Sequence, residues 1–298
     1  MAFTKVSDIS TSIGLGKTYK TSWNKTTAAV AYTAGRWYSS FTLGGQPSAG
    51  TYSGTALNAQ QCIGSGATPT TGKISCAENV TPNVKHLLAV EAGSATATGA
   101  PGLLMLVDML LYYPGIDMNQ SGVQPLVNGV TLPRYTDGVG VQMFLEVLAT
   151  TGATPHSIHT TDFLYTNGNT PPVANRTVPG ACVFTISAIV PHIPYSGVAA
   201  NNWGPFIPLA DTDRGVKSVQ QFRLTAASGT ASTAALVLCK PLACIPLVTS
   251  SIASSRDYVF HMPSFPVIQD GACLMFLWFA GAATVSANFY GTLEFVWG

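Results

Sequence analysis

The sequence predicts an all-β protein, an antiparallel β-sandwich of jelly-roll-like type with an extended N-terminal arm. Charged residues make up only 9% of the 298 residues, against roughly 25% in typical soluble domains. Glycine, serine, threonine, asparagine and proline take their place, and these residues suit strands and turns better than helix surfaces. Apolar runs also alternate with turn residues at the spacing of about 8 to 12 residues that is typical of sandwiches.

The C-terminal stretch Gly271–Gly298 gives the clearest strand signal. Residues 272–279 form a short and nearly continuous apolar run, which predicts a strand buried on both faces. After a Gly-Ala-Ala turn, Leu293, Phe295 and Trp297 recur at every second position, which predicts a half-buried strand. We therefore expect a tight C-terminal hairpin whose aromatic side chains anchor the chain end in the core.

Two parts of the chain differ in pattern. Residues 1–50 are predicted to form the extended arm, and residues 51–298 the sandwich domain, with a Gly/Ser/Thr-rich insertion around 51–81. The arm is polar and contains four lysines: Lys5, Lys17, Lys20 and Lys25. Such a segment either lies on an acidic neighbour or is a solvated tail.

The rest of the domain is predicted to bring the total to roughly nine or ten strands. Beside the C-terminal pair, the apolar runs lie at residues 86–92, 103–113, 139–149, 157–167, 181–190, 216–226, 234–240 and 242–248. Leucine and methionine in run 103–113 also suit a helix, but Pro-Gly pairs on both sides favour a buried strand. Loops of small residues predict hairpins between 139–149 and 157–167, and between 216–226 and 234–240.

Charge and hydropathy argue against two classes of partner. Fourteen basic and thirteen acidic side chains give a formal charge of +1, so nothing directs the protein to nucleic acid or to an acidic membrane surface. The N-terminus shows no secretory signal pattern. The apolar run 103–113 is interrupted by Asp108 and is shorter than the about 20 residues of a membrane helix, so we expect no membrane segment.

The six cysteines fall into two groups. Four lie in apolar surroundings, which predicts buried free thiols: Cys182, Cys239, Cys244 and Cys273. Cys62 and Cys76 instead flank a polar loop. A bridge between them would stabilise the fold by roughly 3 kcal/mol, although a reducing cytoplasm would leave it open at first.

The motif search predicts no catalytic, cofactor-binding or metal-binding residues. Gly14–Thr18 resembles the end of a phosphate-binding loop, but Thr11 stands where that motif needs its first glycine. On a strand, His156 and His159 would point to opposite faces, so an exposed pair at a loop edge is expected. Asp211–Asp213 opens like a calcium loop but lacks further oxygen ligands, which favours a turn before a strand. The chain is therefore predicted not to be an enzyme.

Five ordered motifs between residues 100 and 298 carry a family resemblance. They are Leu132–Gly140, Leu164–Asn167, Pro208–Val219, Lys240–Ala243 and Asp270–Gly298. This series resembles a family of virion structural proteins encoded by tailed bacteriophages. The resemblance implies a particle component, most plausibly a capsid decoration or cement protein on a jelly-roll-like sandwich. Residues 109–111, Met-Leu-Leu, stand where the family usually has aromatic and basic residues.

The expected function is therefore a structural, non-enzymatic virion protein on the capsid surface, assembled in the host cytoplasm. Its expected partners are the major capsid protein and copies of itself, as a trimer that bridges capsid subunits. The alternative is a neck, tail or host-glycan-binding component on the same fold, with Tyr195 and Trp203 as a stacking platform. An enzyme on a β-scaffold and the main shell protein are less favoured, the latter because a long helical pattern is missing.

Overall fold

Strands form nearly all of the regular structure in the computed structural model of the chain. The structure describes residues 3–28, 32–64, 71–96, 99–152, 154–180, 182–184, 191–195, 204–260, 265–283 and 286–298. In this part there is one helix, α1 (Val6–Gly14). The strands are β1 (Thr18–Thr26), β2 (Arg36–Ser39), β3 (Gly44–Gln46), β4 (Gln60–Gln61), β5 (Lys85–Ser94), β6 (Gly102–Asp117), β7 (Gln124–Pro125), β8 (Gln142–Val147), β9 (Ser157–Ile158), β10 (Leu164–Asn167), β11 (Arg176–Thr177), β12 (Cys182–Val183), β13 (Val216–Phe222), β14 (Thr233–Leu247), β15 (Ser254–Asp257), β16 (Leu274–Ala280) and β17 (Asn288–Trp297).

The strands assemble into three antiparallel sheets and one small pair. The long sheet has the order β2-β16-β6-β14-β8, with β4 also paired to β6. The five-stranded sheet has the order β15-β5-β17-β1-β3, the four-stranded sheet the order β11-β10-β13-β7, and β12 pairs with β9. The all-β prediction is confirmed, with stacked antiparallel sheets as expected of a sandwich.

The long sheet is shared by two cores because β6 and β14, with 16 and 15 residues, extend past either partner sheet. At one end, Leu104 and Ile245 pack with residues of the five-stranded sheet. At the other end, Tyr113 and Leu236 pack with residues of the four-stranded sheet. A third apolar cluster, which includes Met109, lies on the opposite face of the long sheet, under residues 37–62.

A buried ion pair lies at the boundary between the two cores. Asp108 on β6 is fully buried, and the Nε and Nη2 atoms of Arg134 donate hydrogen bonds to its carboxylate oxygens over 2.8 and 2.7 Å. Arg134 also donates to the carbonyl oxygens of Cys62 and Met109, each over 3.0 Å. The backbone N–H of Cys273 donates to Asp108 over 2.8 Å. The pair therefore joins four chain segments, at Cys62, at Asp108 and Met109, at Arg134 and at Cys273, where pairing along β6 changes from β16 to β4.

Irregular pairing accompanies the ion pair. The β6–β14 register shifts between Leu238 and Cys239, and again between Pro241 and Ala243. Between these shifts, Lys240 pairs with Asp108 across the strands, and its Nζ atom donates to the carbonyl oxygen of Val139 over 2.9 Å. Bulges of this kind bend a strand and increase its twist. We infer that these bulges allow one long sheet to pack against two partner sheets.

Residues 1–50 were expected to form an arm that reaches a neighbour, but the strands in their described part pair within the chain. Helix α1 begins where the Asp8 carboxylate accepts the backbone N–H groups of Thr4 and Lys5, and it packs near β17. Strand β1 then pairs with β17 and β3, while β2 pairs with β16 of the long sheet. Lys25, expected either on an acidic neighbour or in a solvated tail, is buried and donates to two carbonyl oxygens of its own chain.

The three predicted hairpins are wrong, and run 157–167 forms two short strands, β9 and β10, instead of one. β16 lies in the long sheet and β17 in the five-stranded sheet, so the C-terminal turn crosses from one sheet to another. Likewise, β8 and β14 lie in the long sheet, while β10 and β13 lie in the four-stranded sheet. Runs 234–240 and 242–248 form one strand, β14, that continues through Pro241. Of run 181–190, only residues 182–184 are described.

The insertion around 51–81 and its cysteines contribute to the buried structure. Cys62 is fully buried under the long sheet, and Ile74 forms a β-bridge with Leu274. All six cysteines are free thiols, so Cys62 and Cys76 are not bridged in this structure. Cys244 is only partly buried, unlike the other five.

We predict that the buried ion pair contributes strongly to stability. Arg134→Met should lower the free energy of unfolding by about 3–5 kcal/mol, because it leaves the Asp108 carboxylate buried without its partner. The double variant Asp108→Leu/Arg134→Met should recover part of this loss, since no uncompensated charge remains. Urea denaturation measures both effects.

The matched control is the exposed ion pair of Lys20 and Glu294, in which Lys20 Nζ lies 2.5 Å from Glu294 Oε1. Lys20→Ala should cost less than about 1 kcal/mol. Equal losses for Arg134→Met and Lys20→Ala would contradict a central role for the buried pair.

Candidate functional site

The motifs that resembled catalytic sites have structural roles. Gly14 ends α1 and Gly16 follows it with φ of 71°, so the helix precedes the glycines. A phosphate-binding loop needs the opposite order, with a helix after the glycines.

The two histidines at 156 and 159 are not the exposed pair that was expected. His156 is buried, its Nδ1 atom lies 2.8 Å from the carbonyl oxygen of Thr154, and its ring contacts Phe184 edge to face. His159 is partly exposed, with Nδ1 at 3.2 Å from the carboxylate of Asp162. The two rings therefore have separate partners.

Asp213 anchors the four-stranded sheet through its carboxylate. Its carboxylate accepts hydrogen bonds from Tyr165 Oη over 2.5 Å, from Asn167 Nδ2 over 2.6 Å and from Arg176 Nε over 2.9 Å. Burial would raise the pKa of Asp213, but these donors outweigh it and lower the pKa. The interpretation as a turn that precedes a strand agrees with this geometry.

A second buried carboxylate, Glu146 on β8, has only hydroxyl partners. Tyr52 Oη donates to it, and Thr42 Oγ1 donates over 3.3 Å. Burial raises the pKa of Glu146 to about 7, although the hydrogen bonds from Tyr52, Ser39 and Thr42 act in the opposite direction. Through these hydrogen bonds, the Glu146 carboxylate connects Thr42 and Tyr52, in the segment that covers the long sheet, to the edge strand β8.

One surface groove has an aromatic wall and a polar wall. It measures about 780 Å³. The aromatic wall is Tyr19 of β1 and Trp297 of β17, both half-buried, and the polar wall comes from residues 75–83. We call this feature the aromatic groove. Trp297 was expected to anchor the chain end in the core, but it is only half-buried and borders this groove.

An apolar surface patch lies on the far side of the five-stranded sheet, next to its edge strand β15. Val6 and Ile13 of α1 are 53% and 45% exposed, and Phe260 is 76% exposed. These three side chains line one groove of about 250 Å³, with the carboxylates of Asp257 and Glu294 at its border. We call this feature the apolar patch.

Tyr195, expected in a stacking platform, is partly buried against the core beneath the four-stranded sheet. Trp203 lies outside the described residues. In the described ranges, no three His, Cys, Asp or Glu side chains are grouped as a metal site requires. No helix there has both the length and the apolar character that crossing a bilayer requires.

Comparison with known proteins finds no match to a family model, to a curated protein or to a solved structure. The fold defines the class, an all-β protein of stacked antiparallel sheets. Functional conclusions therefore depend on the geometry of the chain itself.

We predict that Glu146 makes stability fall as pH rises. Its pKa is about 7 when folded and near 4.5 when unfolded, so the folded state binds more protons between these values. The stabilising contribution of Glu146 is complete below about pH 4.5 and is lost as the pH rises through 7. The free energy of unfolding should therefore be lower by roughly 3 kcal/mol at pH 8. Glu146→Gln should remove most of this loss.

Urea denaturation at pH 5 and pH 8 measures the effect. Glu78→Gln, at an exposed site, should leave the pH dependence of the wild type unchanged. An identical pH dependence in Glu146→Gln and wild type would show that another group controls it.

Proposed function

We propose that this chain is a structural virion protein of a tailed bacteriophage, a decoration or cement protein on the capsid surface. In this role it bridges subunits of the major capsid protein as a homotrimer assembled in the host cytoplasm. The observation that carries the proposal is the apolar patch beside the edge of a sheet. Exposed apolar groups next to an unpaired strand edge are characteristic of surfaces that contact another protein chain.

The positions of the resembling motifs support a structural role. Leu132–Gly140 contains Arg134, and its Leu132 and Tyr135 pack against one of the two cores. Pro208–Val219 contains Asp213, and Lys240–Ala243 lies at the register shift of β14. The motifs thus coincide with the contacts that determine how the sheets join, which is where a family of structural proteins needs particular residues.

The use of ionisable groups also supports a non-enzymatic role. Asp108, Glu146 and Asp213 each accept hydrogen bonds from side chains of the same chain. A general acid or base needs a group that reaches a substrate. These carboxylates are instead occupied in holding sheets and covering segments together.

The second candidate is a neck, tail or host-glycan-binding component of the particle on the same fold. The aromatic groove favours it, because half-buried aromatic rings suit the binding of an external ligand. Copy number separates the candidates, since a capsid decoration protein is present many times per head.

We predict that purified particles contain this protein at high copy number on the head. Quantitative mass spectrometry gives the ratio to the major capsid protein, and cryo-electron microscopy gives the position. Density for a trimer where capsid subunits meet is the expected result. Absence from the shell, or a monomer at low copy number, would overturn the proposal.

Substitutions in the apolar patch test which surface docks. Phe260→Asp should lower incorporation into particles about tenfold or more, because it places a charge at the centre of an apolar contact. Val173→Asp is the matched control, since Val173 is 47% exposed at another site. Incorporation is measured by co-sedimentation with heads that lack the protein, and equal incorporation of both variants would place the docking surface elsewhere.

A further inference from the structure

The aromatic groove begins where the inner face of the five-stranded sheet extends past the core. Trp23, Leu293 and Phe295 on this face are buried. Tyr19 and Trp297 continue the same alternation but are half-buried. The ring of Tyr19 stacks on Phe295 with centroids 6.3 Å apart and planes at 21°. The core therefore holds the aromatic wall in place while part of each ring faces the groove.

The opposite wall is held rigidly by a buried lysine. Lys85 Nζ donates to the carbonyl oxygen of Glu78 over 2.8 Å and lies 3.2 Å from Asp270. The Asp270 carboxylate also accepts the N–H of Val80 over 3.1 Å and the hydroxyl of Thr81 over 2.9 Å. Burial would raise the pKa of Asp270, but these donors outweigh it and lower the pKa. The wall is thus organised before any ligand binds.

The side chains on this wall leave polar groups for a ligand. Ser75, Glu78, Asn79 and Asn83 line the groove, but Ser75 Oγ accepts a hydrogen bond from Tyr19 Oη over 3.2 Å and Asn79 Oδ1 accepts the N–H of Thr81 over 2.8 Å. Within the described part of the chain, the Glu78 carboxylate and the Asn83 amide make no hydrogen bond to another group. Carboxylate and amide groups accept and donate hydrogen bonds to hydroxyl groups.

The combination of walls identifies the class of ligand. One face of a sugar ring carries C–H groups that pack on an aromatic ring, and its edge carries hydroxyls that need acceptors and donors. The described lining residues include one carboxylate, Glu78, and no lysine or arginine, which disfavours anionic ligands. The volume of about 780 Å³ falls within the range of about 300–1,000 Å³ for ligand sites and accommodates more than one sugar unit.

We propose that the aromatic groove binds a neutral oligosaccharide, with a sugar ring on Trp297 and its hydroxyls on Glu78 and Asn83. The proposal does not depend on where the protein sits in the particle. The groove involves neither α1 nor Phe260, so a saccharide and a docking partner on the apolar patch can bind together.

Isothermal titration calorimetry on the full chain tests the proposal. The neutral probes are maltohexaose, cellohexaose, laminarihexaose and chitohexaose, and the anionic probe is hexagalacturonate. Saturable binding of at least one neutral probe, without binding of hexagalacturonate, is expected. No binding of any neutral probe at millimolar concentration, or tighter binding of hexagalacturonate, would overturn it.

Variants locate the site. Trp297→Ala should weaken binding about tenfold or more, and Trp297→Phe should keep most of it, because an aromatic face remains. Glu78→Gln, at an exposed position that leaves the fold intact, should weaken binding severalfold. Phe260→Ala, at an exposed aromatic residue outside the groove, is the control and should bind as wild type. Unchanged affinity in both Trp297→Ala and Glu78→Gln would refute the assignment, and it would leave the copy number on the capsid unaffected.

Discussion

The bidentate contact between Arg134 and Asp108 is the interaction on which the rest of this fold depends. Two cores share one long sheet, and β6 loses its regular partner where β16 ends and β4 begins. Backbone groups left there would be buried without partners, which is costly. The guanidinium forms four hydrogen bonds in this gap, two to the carboxylate and two to carbonyl oxygens, and the carboxylate accepts the N–H of Cys273. A planar fork of donors fits this geometry, whereas a single ammonium group does not.

A few charged side chains are buried in internal contacts, and the exterior carries two unusual surfaces. The apolar patch lies next to a sheet edge, and the aromatic groove opens at the end of the same five-stranded sheet. Charged residues make up only 9% of the chain, and because charge is depleted in the cores of protein interfaces, this composition agrees with the proposed docking on other protein chains. In the proposed function, the apolar patch docks on the capsid and the aromatic groove binds a saccharide. The two surfaces are separate, so each can be tested without disturbing the other.

Strand positions were readable from the sequence because burial imposes a period of two, or a continuous apolar run, on each strand. This holds for run 103–113, where β6 formed in spite of helix-compatible leucine and methionine, and for the C-terminal runs. Pairing was not readable. Hairpin signals report only that a turn lies between two strands, and the turn after β16 leads to another sheet. The N-terminal segment was expected to be an arm because its alternation is weak, yet β1 pairs with β17 along its whole length.

The sequence by itself determined the all-β class, the strands of the core and the low charge, because these follow from local composition and periodicity. Only the tertiary structure decided which strands pair, that Asp108 meets Arg134 across 26 positions, and that Glu146 is buried among hydroxyl groups. It also decided that Trp297 borders a groove, although Trp297 belongs to the same alternating series of apolar residues as the buried Phe295. The physical reason is that the exposure and pKa of a side chain depend on segments that are distant in sequence. The local pattern around a residue does not reveal which distant segments pack against it.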